Sequence, residues 1–177
     1  MRKTIALALV FALAACGSTK PESDTDAEAL NTECNAAKTT ILKEDPTISK
    51  WFDTAYGYVI FPSVGKGAIG IGGAYGKGQV YENKSLVGYA KLKQGTIGLA
   101  LGGQSFTEVI FFKDKAALSA FKEGNWEFAA NASAVAVKAG AGATSEYSGG
   151  VKAFVHVKGG LMAEASVGGQ HFFYEAK

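Results

Sequence analysis

The sequence predicts an α+β domain: a helical N-terminal part, then a Gly-rich, strongly curved antiparallel sheet or barrel-like body with one inserted helix. Three observations carry that expectation. Leu30, Cys34, Ala37 and Ile41 recur at spacings of four, three and four, one apolar stripe along a helix. Beyond Tyr56 apolar residues alternate with period two, as at Ile97, Leu99 and Leu101. Of the 23 glycines, 22 lie in that second part, which argues against long helices there.

Residues 1–15 begin with Arg2 and Lys3, run through an apolar core to Ala12, and close on Leu13-Ala14-Ala15 directly before Cys16. Charge, short apolar core and small residues are the layout of a secretory signal peptide. The run is too short for a transmembrane helix, which needs about 20 apolar residues. With its cysteine the segment resembles a bacterial lipoprotein signal. That resemblance implies cleavage between Ala15 and Cys16 and acylation of Cys16, with two or three chains (palmitate among them) giving a stable anchor. Gly17 stands where an acidic residue would retain such a lipoprotein at the inner membrane. The implied address is the outer membrane of the bacterial envelope, facing the periplasm or the cell surface. Residues 16–25 are polar and without apolar period beyond the cysteine, and are expected to form a flexible acylated tether.

A single domain is expected over 26–177, with its helical part at 26–55 and its sheet over 56–177. Asp26 and Glu28 suit the N-terminus of the first helix and Lys43 its C-terminus. Asp45 caps a second, short helix with Pro46 at its first position, presenting Ile48, Trp51 and Phe52 to the core. Val109-Ile110-Phe111-Phe112 reads as a strand buried on both faces. Asp114 caps the inserted helix over 114–123, with Leu118 and Phe121 inward and Gly124 as its stop. Phe128 to Lys138 and Val151 to Lys158 alternate again as strands. Three segments share one plan: Lys66-Gly67 to Gly72-Gly73, Gln94-Gly95 to Gly102-Gly103-Gln104, and Gly159-Gly160 to Gly168-Gly169-Gln170. Mid-strand glycine weakens a sheet unless the strand must kink or meet another backbone, so the recurrence predicts kinks in a closed or nearly closed sheet.

Charge is split along the chain. Residues 17–50 carry four Lys against seven acids, and residues 51–177 twelve Lys against nine acids. A basic body hints at an anionic partner; with formal neutrality once residues 1–15 are gone, no nucleic-acid reading follows. No Arg occurs after residue 2, so anion contacts fall to Lys and backbone amides. With Cys16 acylated, Cys34 has no disulfide partner, and its place on the apolar stripe makes it a buried, inert thiol.

The catalytic and nucleotide motifs fail. Gly65-Lys66-Gly67-Ala68-Ile69-Gly70 matches a dinucleotide fingerprint, but Ile71-Gly72-Gly73-Ala74-Tyr75-Gly76 follows where a helix is required. His156 and His171 are the two histidines, both on strand patterns and without metal-ligand spacing, and no Gly-x-Ser-x-Gly elbow exists. The sequence therefore offers no catalytic residues, no metal site and no cofactor, and a non-enzymatic role is expected.

Gly57-Tyr58-Val59-Ile60-Phe61-Pro62-Ser63-Val64 with Lys66-Gly67 and Ile69-Gly70-Ile71-Gly72-Gly73 resembles the signature of the SYLF domain family. Gly102-Gly103-Gln104-Ser105, the Val109–Phe112 strand, Lys115-Ala116-Ala117-Leu118, Ala130-Asn131-Ala132-Ser133 and Lys158-Gly159-Gly160-Leu161 follow in order, so the likeness covers about residues 50–177. It implies a lipid-binding module. The chain departs from the family's membrane-inserting members in its first helix, whose five acids and two lysines are the wrong sign for anionic lipid. Lys66, Lys77, Lys91, Lys93 and Lys158, at or near the Gly-rich turns, are the candidate head-group contacts, and the expected partner is an anionic lipid or membrane surface. Two other readings stand beside it. One is an envelope structural protein that binds a protein partner through Tyr56, Tyr58, Tyr75 and Tyr81; the other is a small membrane β-barrel.

Overall fold

The computed structural model describes residues 18–124 and 134–177. The signal segment, Cys16, Gly17, and the part of the Phe128–Lys138 strand and Ala130–Ser133 signature before residue 134 lie outside the described residues.

The helical part forms as its stripe requires. α1 spans Asp24–Glu44, with the Ser23 hydroxyl accepting from the Asp26 amide and Cys34, Ala37 and Ile41 buried. It starts two residues before the expected Asp26. The Asp45 carboxylate accepts from the Thr47 amide at 3.0 Å, and a 3₁₀ turn, Pro46–Ile48, runs into α2, Ser49–Thr54. Ile48, Trp51 and Phe52 are all buried.

Two strands of unusual length follow, β1 (Gly57–Glu82) and β2 (Ser85–Phe112), joined by Asn83 and Lys84 with φ of 48° and 67°. Two consecutive left-handed residues match the right-handed twist of a hairpin. Then come α3 (Lys115–Lys122), β3 (Ala134–Ala136), a short α4 (Ala141–Thr144) and β4 (Val151–Ala176). Asp114 caps α3 through the Ala117 amide at 3.0 Å, and Gly124 ends it at φ +76°.

The sheet order is β1-β2-β4-β3. Its three long strands are antiparallel, whereas β3 runs parallel to β4, a departure from the all-antiparallel expectation. The class is α+β, and the hydrogen-bonded order among the described residues is open.

The three glycine segments lie side by side. Gly67 pairs with Gly103, Gly73 with Gly95, Gly95 with Gly169, and Ser105 with Gly159. On either side of this glycine band the sheet has two halves, and they meet. Phe61 stands at the level of Glu108 and Phe172 at the level of Leu92, sixteen residues apart on β2, yet their rings lie 5.8 Å apart. A straight strand would separate them by roughly 50 Å, so the strands double back. β1 then passes its own first half at backbone distance: a Cβ on Gly57 would sit 2.6 Å from the Tyr81 carbonyl oxygen, and one on Gly78 would strike that of Ile60.

Two cores result. The first half of the sheet packs one face on the helices, joining Cys34, Ile41, Trp51, Phe52, Tyr58, Phe111 and Phe154. The other face meets α3 and the second half of the sheet through Phe61, Leu92, Ile110, Phe112, Phe121 and Phe172. Val109, Ile110, Phe111 and Phe112 are each fully buried, as a central strand covered on both faces must be. α4 was not expected from its Ala-Gly composition. It is held from outside itself: the amides of Gly140 and Gly142 donate to Asp45 at 3.2 and 2.7 Å, and Trp51 Nε1 donates to the Gly142 carbonyl at 2.9 Å.

Candidate functional site

The outward face of the second half of the sheet gathers three of the five candidate lysines. Tyr75, Lys93 and His171 stand in register across β1, β2 and β4; the next row is Lys77, Lys91 and Phe173, and the next Gln79, Tyr89 and Glu175. Side chains alternate across a strand, so these rows share one face, opposite inward Ala74, Ala90, Leu92 and Phe172. Two large apolar side chains are left in water here, Tyr75 at 46% and Phe173 at 47% exposed. Lys93 Nζ lies 5.6 Å from the Phe173 ring centroid, within cation–π range. Lys91 at 5% exposed is covered rather than offered to solvent, and so are Gln79 at 1% and Tyr89 at 8% in the next row.

The other two lysines lie elsewhere. Lys158 lines a cavity of about 500 Å³ between α1 and the sheet, with Glu33, Thr40, Pro62, Ser63 and His156. A second cavity, of about 420 Å³, shares Glu33, Pro62 and Ser63 and is lined by Lys77 and Tyr75 of the sheet, by Asp26 of α1 and by Glu22 just before it. Both open at the bulge between Phe61 and Val64, where β1 slips register against β2. Lys66 stands opposite Gln104, beside the Gly67–Gly103 pair and away from both cavities. The expected five-lysine site is therefore dispersed: Lys77, Lys91 and Lys93 on the outward face, Lys158 at the first cavity, and Lys66 apart from both.

The buried titratable groups are structural in placement. Cys34 is 2% exposed, and burial pushes its thiol up to about 12, so it is un-ionised and inert at neutral pH as its helix position implied. Glu108 is 1% exposed on the inward face, between the two sheet halves. Burial raises its carboxyl to about 7, partly opposed by the hydrogen bond from Gln170 Nε2 at 3.1 Å. The Gln170 Oε1 beside it is buried without a hydrogen-bond partner among the described residues. His156 stands opposite Thr107 and His171 opposite Lys93, on different parts of the sheet. Among the described residues no three His, Cys, Asp or Glu side chains group as metal ligands, and no helix is long and apolar enough to cross a membrane.

Three of the four tyrosines expected as partner contacts serve the fold instead. Tyr58 is 8% exposed and stacks on Tyr81 at 4.7 Å. The Tyr81 hydroxyl donates to Gln79 at 2.7 Å, and the Tyr56 hydroxyl to Glu82 at 2.6 Å. A tyrosine read from sequence carries no sign of which partner its ring has found; of the four only Tyr75 is exposed.

Sequence reasoning also missed Glu175. Its Oε2 accepts from the Ser18 hydroxyl at 3.1 Å, the Thr19 amide at 3.1 Å and the Lys20 amide at 3.3 Å. Burial would raise this carboxyl, but the three donors outweigh it and hold the group below the ordinary carboxylate range. Residues 18–20, expected to be loose tether, are thus fixed to the end of β4, with Thr19 at 8% exposed. No local pattern announces a contact spanning more than 150 residues.

No family model matches this chain. Over 149 residues it is 32% identical to Beta cell expansion factor A of Aeromonas veronii, a match that covers 83% of the chain and 56% of that protein. The chain thus spans a little over half the length of this curated relative.

Proposed function

We propose that this chain is a non-enzymatic lipoprotein of the SYLF type, anchored through Cys16 at the bacterial outer membrane, whose folded domain binds lipid at a membrane surface. The observation that carries the reading is the outward sheet face on which Lys77 and Lys93 flank exposed Tyr75 and Phe173. Aromatic rings in water next to ammonium groups suit a bilayer interface, where rings sit at head-group level and lysines meet anionic lipid. The Leu13-Ala14-Ala15-Cys16 signal supports the anchor. The alternative is an envelope protein that binds a protein partner; of its four expected tyrosine contacts Tyr58 is buried, Tyr56 and Tyr81 are half-buried, and Tyr75 is exposed. The close approach of β1 to its own first half at Gly57 and Gly78 supports a strongly curved, barrel-like and rigid module, its hydrogen-bonded order being open among the described residues.

The test is co-sedimentation of residues 17–177, with Cys16 absent, on neutral and on anionic vesicles at two salt concentrations. Salt-sensitive binding to anionic vesicles alone is the expected result, because exposed lysine–lipid attraction is screened. Absence of binding to both would leave acylated Cys16 as the membrane contact and favour a protein partner.

A further inference from the structure

We infer that the Glu175 clamp orients the anchored protein, so that the acyl chains on Cys16 and the Tyr75–Lys93–Phe173 face enter the same anionic bilayer. The inference rests on the lipid-anchored reading above and adds which surface faces the membrane and what fixes it there.

The argument is one of reach. A free tether over residues 17–25 would let the domain present any side to the lipid. Here one carboxylate oxygen holds three consecutive residues, Ser18, Thr19 and Lys20, leaving two peptide steps between the clamped Ser18 and Cys16. Two steps span at most about 7 Å. Glu175 lies on the same face of β4 as Phe173 and His171, and consecutive same-face residues on a strand are about 7 Å apart. Chain length alone therefore keeps lipid attached at Cys16 within roughly 20 Å of the Phe173 ring. Glu22, just before α1, and Asp26 and Glu33 on it line one cavity with Tyr75 and Lys77. They bound the face on the α1 side, so tilting toward α1 would bring acids against anionic head groups.

The occupant follows from the same facts. Two exposed aromatic rings in adjacent rows, with Lys93 in register with Tyr75 and its Nζ 5.6 Å from the Phe173 ring centroid, next to an acyl attachment point, match the bilayer interface in polarity and in charge.

The test uses the full acylated chain in vesicles of phosphatidylethanolamine and phosphatidylglycerol. Cys34 is buried and Cys16 is blocked by lipid, so thiols introduced by Phe173→Cys, Tyr75→Cys and, as a control on exposed α1, Thr32→Cys can be labelled with a membrane-impermeant maleimide. Labelling of Phe173→Cys and Tyr75→Cys is expected to be at least about tenfold slower than that of Thr32→Cys. Adding Glu175→Ala should bring the Phe173→Cys rate up to the control while the protein stays attached; Glu175→Gln, which keeps an acceptor oxygen, should retain most of the protection. Equal rates at all three positions in the otherwise unmodified chain, or protection that survives Glu175→Ala, overturn the inference. Failure here is separable from failure of lipid binding. An acyl-free chain that sediments with anionic vesicles, beside exposed thiols in the anchored protein, faults the orientation alone; no sedimentation beside protected thiols faults only the head-group affinity.

Discussion

The same three strands build two unlike regions. In the first half of the sheet, around Val109–Phe112, both faces are covered: helices on one side, α3 and the returning strands on the other. In the second half, around Leu92 and Phe172, the inward face is buried, while the outward face carries Lys77, Lys93, His171, Tyr75 and Phe173. Alternation of apolar and polar residues is what separates them. A strand apolar at every position demands a layer on each side, and one apolar at every second position leaves a face for other work. The first half is scaffold and the second half is surface.

The sharpest way to break the comparison is Phe111→Ala. That ring is fully buried and lies 4.8 Å from Phe52, 5.9 Å from Trp51 and 5.9 Å from Phe154. Its loss is expected to cost about 3–5 kcal/mol in a denaturant titration. Phe173→Ala, on the exposed face, should leave the midpoint within about 0.5 kcal/mol of the parent.

Glu108 tests the seam between the regions. Its carboxyl titrates at about 7 when folded, against an ordinary 4.5. The folded chain binds the proton more tightly, so this contribution to stability is complete below about 4.5 and is lost as pH rises through about 7. Stability should therefore fall across that window, by at most about 1.4 kcal/mol per pH unit from this group. Glu108→Gln should flatten the profile while keeping an oxygen for Gln170 Nε2, and an unchanged slope in the variant would refute the assignment.

Glycine substitution separates contact from bend. Gly78→Ala places a methyl against the Ile60 carbonyl and is expected to cost about 1–3 kcal/mol. Gly95, in the glycine band, has nothing within 4 Å of its would-be Cβ, so Gly95→Ala should be close to neutral. The smallest effects belong to the outward lysines. Lys77→Gln and Lys93→Gln should each weaken anionic-vesicle binding by about 1 kcal/mol, roughly fivefold, with no change in the unfolding midpoint. Lys91→Gln should weaken binding less, because that side chain is covered.

Much of the scaffold was legible in the chain. The stripe from Leu30 to Ile41, the Asp45-Pro46 start, the Asp114 cap and the Val109–Phe112 strand are local signals: each depends on neighbours within a turn or a pleat, and each forms where its residues call for it. The three glycine segments were visible as a repeat, and the register shows them aligned across the sheet. The candidate surface was only partly legible. Lys77, Lys91 and Lys93 come together because β1 and β2 pair with a register set by the Asn83-Lys84 turn and by the one-residue shift between Val80 and Tyr81. Lys158 joins a cavity instead, and Lys66 stays at the bend.

The sequence by itself determined α1, α2, α3, the Val109–Phe112 strand and the buried character of Cys34, because periodicity and capping act over a few residues and need no distant partner. Tertiary structure alone decided what lies on each face. The return of β1 onto itself at Gly57 and Gly78, the covering of Lys91, the seating of Tyr58 on Tyr81, and the binding of Ser18–Lys20 by Glu175 all join residues far apart in the chain. Such contacts depend on how long strands bend and which edges meet. That geometry is set by the whole fold, and no local pattern encodes it.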